Sequence, residues 1–87
     1  MGKYDKLFTA ILSGRNDKSI KFNELTHLLL AMGFHERIKG SHHIYYRQDI
    51  EEILNLQSIG SQAKVYQVKQ VRDIILKYHL EEPHEQL

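Results

Sequence analysis

The chain contains no cysteine, which removes disulfides, thiolate metal sites and cysteine nucleophiles together. That fits a reducing compartment, and the cytoplasm is the expected location. No apolar run approaches the roughly 18 residues that a membrane span needs, and no membrane association is expected. The start, Met1-Gly2-Lys3-Tyr4-Asp5-Lys6, lacks the apolar stretch of a signal peptide. Lys6 stands where a myristoylation signal would carry Ser or Thr. A strong charge of either sign is also missing: the formal net charge is +1 and the pI is near 8.0, too mild to advertise nucleic-acid binding by itself. Internal repeats and low-complexity runs are absent. At 87 residues the chain is expected to form one domain over 1–87, with one modest core and room for one well-formed site.

What is present is periodic. Tyr4, Leu7, Phe8, Ile11 and Leu12 recur at helical spacing and stop at Ser13-Gly14, predicting an additional N-terminal helix within 1–14 that packs by that stripe. Residues 15–19 read as a loop. Asn23 stands where it would cap a second helix, with Leu25, Leu28, Leu29 and Met32 as its stripe and Gly33 as its left-handed end. From Phe34 the period becomes two. Phe34, Glu36 and Ile38 share one parity, and the strand ends at Gly40-Ser41, a hairpin-type turn. A second strand is expected over 42–47, a turn over 49–52, a third strand over 53–57 and a flexible loop over 58–62. Val65, Val68, Val71, Ile75 and Tyr78, widened by Ile74 and Leu76, stripe a last helix. The core is then 15–80, and the tail 81–87 has nothing to bury and is expected to fray. The predicted class is α+β, in the order α-α-β-β-β-α, with helices covering one face of a three-stranded antiparallel meander and the other face wet.

Chemistry concentrates in residues 33–45, where a basic strand runs to the Gly-Ser turn and a histidine opens the next strand. Arg37, Lys39 and Arg47 flank His42-His43, while Lys64, Lys69, Arg72 and Lys77 follow in the last helical stretch. Acidic residues gather elsewhere, at Asp49, Glu51, Glu52, Glu81, Glu82 and Glu85. An imidazole beside turn amides and among cations suits phosphate. His42 shares its parity with Ile44, an expected core residue, so it is expected at the rim where strand twist bares the end; His43 points the other way. The adjacent pair therefore cannot readily grip one ion, and His27, His35, His79 and His84 show no zinc-type spacing, so neither metal nor cofactor is expected. Lys64 lies near the start of the last helix, where backbone donors favour anions. Tyr45 and Tyr46 fall on opposite faces, one for the core and one free to stack on a base. Tyr66 and Gln67 read as ordinary helix-start residues. Ser19, Ser41 and Ser61 have no Asp-His relay in sequence, which discounts a serine hydrolase.

Over 28–45 the leucine order, Gly33-Phe34, Arg37, Lys39-Gly40-Ser41-His42 and the aromatic strand residue Tyr45 together resemble the HicA family of bacterial toxins, and the similarity runs through about residues 20–80. The resemblance implies a fold like that of double-stranded-RNA-binding domains. It also implies a metal-independent mRNA interferase in which the histidine after the turn, here His42, carries the activity, and a HicB-type antitoxin as partner. Familiar members often have a Pro-x-His stretch after the third strand, whereas this chain has Leu54-Asn55-Leu56-Gln57 followed by Gly60-Ser61-Gln62-Ala63-Lys64, and its N-terminal helix is extra.

On that reading His42 is the general acid or base for attack by RNA's own 2′-hydroxyl. Arg37, Lys39, Gly40, Ser41, Arg47 and Lys64 are the expected phosphate contacts, the amides at Gly40 and Ser41 adding electrostatic stabilisation. The alternative is a non-catalytic RNA-binding or protein-interaction module that keeps the fold after losing the chemistry. A third reading is a structural adaptor that forms a homodimer through the N-terminal helix.

Overall fold

The computed structural model describes residues 3–83; the expected fraying of 84–87, with His84 and Glu85, lies outside the described residues. Three helices supply most of the core: α1 (Asp5–Ser13), α2 (Phe22–Ala31) and α3 (Val65–Lys77). The α1 stripe buries Phe8 and Ile11, with Tyr4 and Leu7 partly covered beside them. That packing takes up part of the stripe considered for a homodimer contact, and Leu12 of the same stripe stays exposed. Residues 15–19 are more than a loop. A single 3-10 turn, Asp17–Ser19, brings the Asp17 carboxylate to 3.0 Å from the Arg72 guanidinium of α3, and Arg72 also donates to the Ile11 carbonyl at 3.2 Å. Arg72 of α3 thus holds the 3-10 turn through a half-buried ion pair and the end of α1 through a hydrogen bond.

Helix α2 begins at Phe22, not after an Asn23 cap. Lys21 precedes it in an extended conformation without a side-chain cap bond. The reason is tertiary: Phe22 is buried, and its N–H donates to the Ser61 carbonyl at 3.0 Å, so a neighbouring segment supplies one acceptor that a cap side chain would have offered. At the other end Gly33 adopts φ +91°, Phe34 N–H reaches back to Leu29 at 3.1 Å and Gly33 N–H to Leu30 at 3.0 Å, the paired bonds of a Schellman stop.

The chain leaves that stop as β1 (His35–Lys39), turns at Gly40-Ser41 into β2 (His42–Arg47), and returns as β3 (Ile50–Leu56), an antiparallel sheet in the order β1-β2-β3. The third strand starts at Ile50, so the turn is confined to Gln48-Asp49. Acidic Glu51 and Glu52 suggested a longer turn, but Ile50 is buried, and Glu52 is held from α3 by Tyr78 Oη at 2.5 Å and Lys77 Nζ at 2.7 Å. The segment expected to be a flexible loop is a second small hairpin, β4 (Ser58–Ile59) and β5 (Gln62–Ala63). Its turn, Gly60-Ser61, repeats Gly40-Ser41, and both glycines sit at φ +61°, a region closed to most side chains.

The result is an α+β architecture with three helices and a three-stranded antiparallel sheet in the order α-α-β-β-β-α. Tyr45, Ile50, Leu54 and Leu56 face the helices and join the core. The opposite face is bare. Among the described residues, no helix is long and apolar enough to cross a membrane.

Candidate functional site

Alternation along β2 decides which groups reach the bare face. Tyr45 is fully buried, and His43 and Arg47 share its parity toward the helices; His42, Ile44 and Tyr46 point outward. Ile44 is therefore not the core residue it was expected to be, and His42 needs no special rim position, because its whole face is open. In β1 the register places Lys39 opposite His42 and Arg37 opposite Ile44. Directly opposed side chains have Cβ atoms about 5 Å apart, and diagonal ones about 7–8 Å. Lys39 and Arg37 thus stand beside and diagonal to His42 on one exposed face.

The imidazole is oriented. His42 Nδ1 lies 3.0 Å from Asn55 Oδ1 on β3. An amide oxygen can only accept, so Nδ1 donates, and Nε2 is the ring nitrogen left for another partner. Beside it the turn is braced by side chains: Gln57 Nε2 donates to Ser41 Oγ at 3.0 Å, and Lys64 Nζ donates to Gln57 Oε1 at 3.5 Å. Lys64, just ahead of α3, is thereby joined to the Gly40-Ser41 turn. Fully buried Gln67 sets this up from below. With its amide oriented to satisfy both groups, it accepts from Gln57 N–H at 2.9 Å and donates to the Gln57 carbonyl at 3.1 Å.

Of the residues expected at the site, Arg37, Lys39, Gly40, Ser41, His42 and Lys64 share this end of the sheet. Arg47 does not. It faces the helix side, binds both Asp49 oxygens at 2.8 and 2.6 Å, donates to the Met32 carbonyl at 2.8 Å and lies 5.6 Å from the Phe34 ring centre. Its hydrogen bonds to Asp49 raise its own pKa and hold the Asp49 carboxyl below its ordinary range. Arg47 clamps the exit of α2 onto the sheet instead of offering itself to a phosphate.

Sequence reasoning missed Asn55, Gln57 and Gln67 as working parts. The signal for the first two was present, because Asn55 and Gln57 alternate with buried Leu54 and Leu56 and so must share the open parity. Gln67 carried none: a glutamine in a helical stripe looks like a surface residue until the backbone it satisfies is known.

The covered face has its own polar cluster. Tyr45 Oη donates to Glu36 at 2.5 Å; burial first, then the Glu36 carboxylate, drive the phenol pKa up, so the proton stays on. His43 Nδ1 is buried 3.8 Å from the same carboxylate, and its ring meets Phe22 edge-on with centres 5.0 Å apart. The two adjacent histidines therefore have separate surroundings. Among the described residues, no group of three or more His, Asp or Glu converges as a metal site would require.

Fold and site together define an α+β domain whose open sheet face carries an oriented histidine among cations. No family model, curated protein or solved structure matches the chain.

Proposed function

We propose that this chain is a HicA-type mRNA interferase, a metal-independent endoribonuclease on a double-stranded-RNA-binding-domain-like fold. His42 is its general acid or base, and a HicB-type antitoxin neutralises it in the cytoplasm by covering the open sheet face. One observation carries the reading: His42 is exposed, its Nδ1 is tied to Asn55, and Lys39 and Arg37 flank it on the same face.

RNA supplies its own nucleophile. Nε2 of His42 takes the proton from a 2′-hydroxyl, the 2′ oxygen bonds to the adjacent phosphorus, and the bond from phosphorus to the 5′ oxygen breaks. The departing 5′ oxygen takes that proton back from the imidazolium, so one ring serves in turn as base and acid and ends neutral. An imidazole with a reference pKa of about 6.5 exchanges protons readily near neutrality. Negative charge grows on the phosphoryl oxygens, where Arg37, Lys39 and the Gly40 and Ser41 amides stand ready; Gly40 has no side-chain carbon to hold the phosphate away.

Purified protein in excess chelator is expected to cut single-stranded RNA, and induced expression to arrest growth; His42→Ala abolishes both while melting like the parent. Asn55→Ala, which frees the ring to rotate, lowers the cleavage rate roughly ten- to hundredfold without loss of fold. A folded His42→Ala protein that still cleaves RNA and still arrests growth overturns the proposal.

A second reading, an RNA-binding or protein-interaction module without cleavage, is favoured by the absence of a Pro-x-His stretch after the third strand, where this chain runs Gln57-Ser58-Ile59-Gly60-Ser61-Gln62. It requires salt-sensitive RNA binding with no cleavage products.

A further inference from the structure

The open face does not end at His42. At the far end of β2, Tyr46 is 41% exposed and stacks on His35 of β1, with ring centres 5.4 Å apart and planes 28° apart. The two residues are direct register partners, so the stack holds the Tyr46 ring in place before any ligand arrives. Such a cross-strand pair contributes modestly to a sheet, but this one is turned to solvent, not into the core. Beside it the same face shows Ile53, 67% exposed, and half-exposed Ile44, between the aromatic pair and the cations Arg37 and Lys39. Most neighbouring carboxylates are engaged elsewhere: Glu36 by Tyr45, Asp49 by Arg47 and Glu52 by Tyr78 and Lys77; Glu51, of the same parity as Ile53, is the acidic group at the Tyr46 end of this face. Flat rings at one end of a strand and cations at the other match one kind of ligand, a strand with exposed bases and a charged backbone.

We infer that Tyr46, stacked on His35, is a nucleobase platform that selects unpaired RNA lying along β2 with its phosphate at His42. The inference rests on the proposed RNA reading and adds to it the site that holds an unpaired base. Four residues of strand separate the two positions, about 13 Å at roughly 3.3 Å per residue. A stacked strand advances roughly 3.4 Å per nucleotide, so the platform takes a base within about four nucleotides of the cut. A paired base cannot present its face to the ring, so duplex RNA is excluded.

The test uses the full chain carrying His42→Ala, which cannot cleave, and a short single-stranded RNA containing one fluorescent adenine analogue. Tyr46→Ala in that background is expected to bind about tenfold more weakly and to lose quenching of the analogue, while Tyr46→Phe retains both. In the cleaving protein, Tyr46→Ala should lose its preference for single-stranded over duplex substrate. Tyr46→Ala binding and quenching like its parent, with the wild-type chain still cutting RNA, overturns the platform alone. If the parent binds no RNA at all, the platform and the RNA reading fall together.

Discussion

On the covered face of the sheet, Tyr45, His43 and Arg47 meet Thr26, Phe22 and the exit of α2; Glu36, Asp49 and a backbone carbonyl take up the polar atoms of Tyr45 and Arg47, while His43 Nδ1 is buried 3.8 Å from Glu36. On the open face, His42, Ile44 and Tyr46 come from the same six-residue strand and meet solvent and, across the strand, Lys39, Arg37 and His35. The comparison is unusually direct, because each face received one histidine and one tyrosine from adjacent positions. Residue type did not separate their roles. Burial did: it turned one tyrosine into a donor whose proton cannot leave and left the other with an accessible ring.

The contrast should be largest in stability. Tyr45→Ala removes a buried aromatic and strands the Glu36 carboxylate, and is expected to destabilise the fold by about 3–5 kcal/mol. Tyr46→Ala loses only a surface stack, less than about 1 kcal/mol. Urea unfolding of the two variants checks this, and equal losses would mean that the faces are not distinct. Binding should show the opposite asymmetry. Arg37→Gln and Lys39→Gln are each expected to weaken single-stranded RNA binding and to reduce the log-log salt slope by about 0.7, whereas Arg47→Gln leaves the slope unchanged and lowers stability. Titrations at several salt concentrations check this; Arg47→Gln altering the slope as much as Arg37→Gln would place Arg47 among the phosphate contacts.

The smallest effect concerns acid. Hydrogen bonds from Lys77 first, then Tyr78, hold the Glu52 carboxyl at about 2, below its ordinary 4.5. The folded chain therefore favours the ionised form, and this contribution is complete above about pH 4.5 and disappears as the pH falls toward 2. The groups are exposed, so the acid limb is shallow. Glu52→Gln should flatten it further in unfolding curves between those values; an unchanged limb would assign acid sensitivity to another carboxylate.

Legibility in the sequence followed the range of the interactions involved. The β2 bounds, the Gly33 stop, the Gly40-Ser41 turn and the opposite directions of His42 and His43 were readable, because each depends on backbone geometry within a few residues. The side on which β2 meets the core was misjudged: Ile44 is a better apolar residue than Tyr45 by composition, yet Tyr45 is the one with Thr26 and Glu36 to receive its hydroxyl. The acidic run at 49–52 hid three strand residues because Lys77 and Tyr78, distant in sequence, hold Glu52. Residues 58–62 looked mobile because a hairpin this short gains its order from contacts with Ile20, Lys21 and Phe22.

The amino-acid order alone determined the succession of the three helices and the three strands of the main sheet, the Gly33 stop, the Gly40-Ser41 turn and the rule that neighbouring strand residues part to opposite sides. All of these follow from backbone sterics and side-chain periodicity, which act locally. Packing decided which side became the interior, that Arg47 would clamp a helix end, and that Asn55, Gln57, Gln67 and Lys64 would assemble around one turn. Those outcomes depend on which polar groups find partners when distant segments exclude water, and no local pattern contains that information.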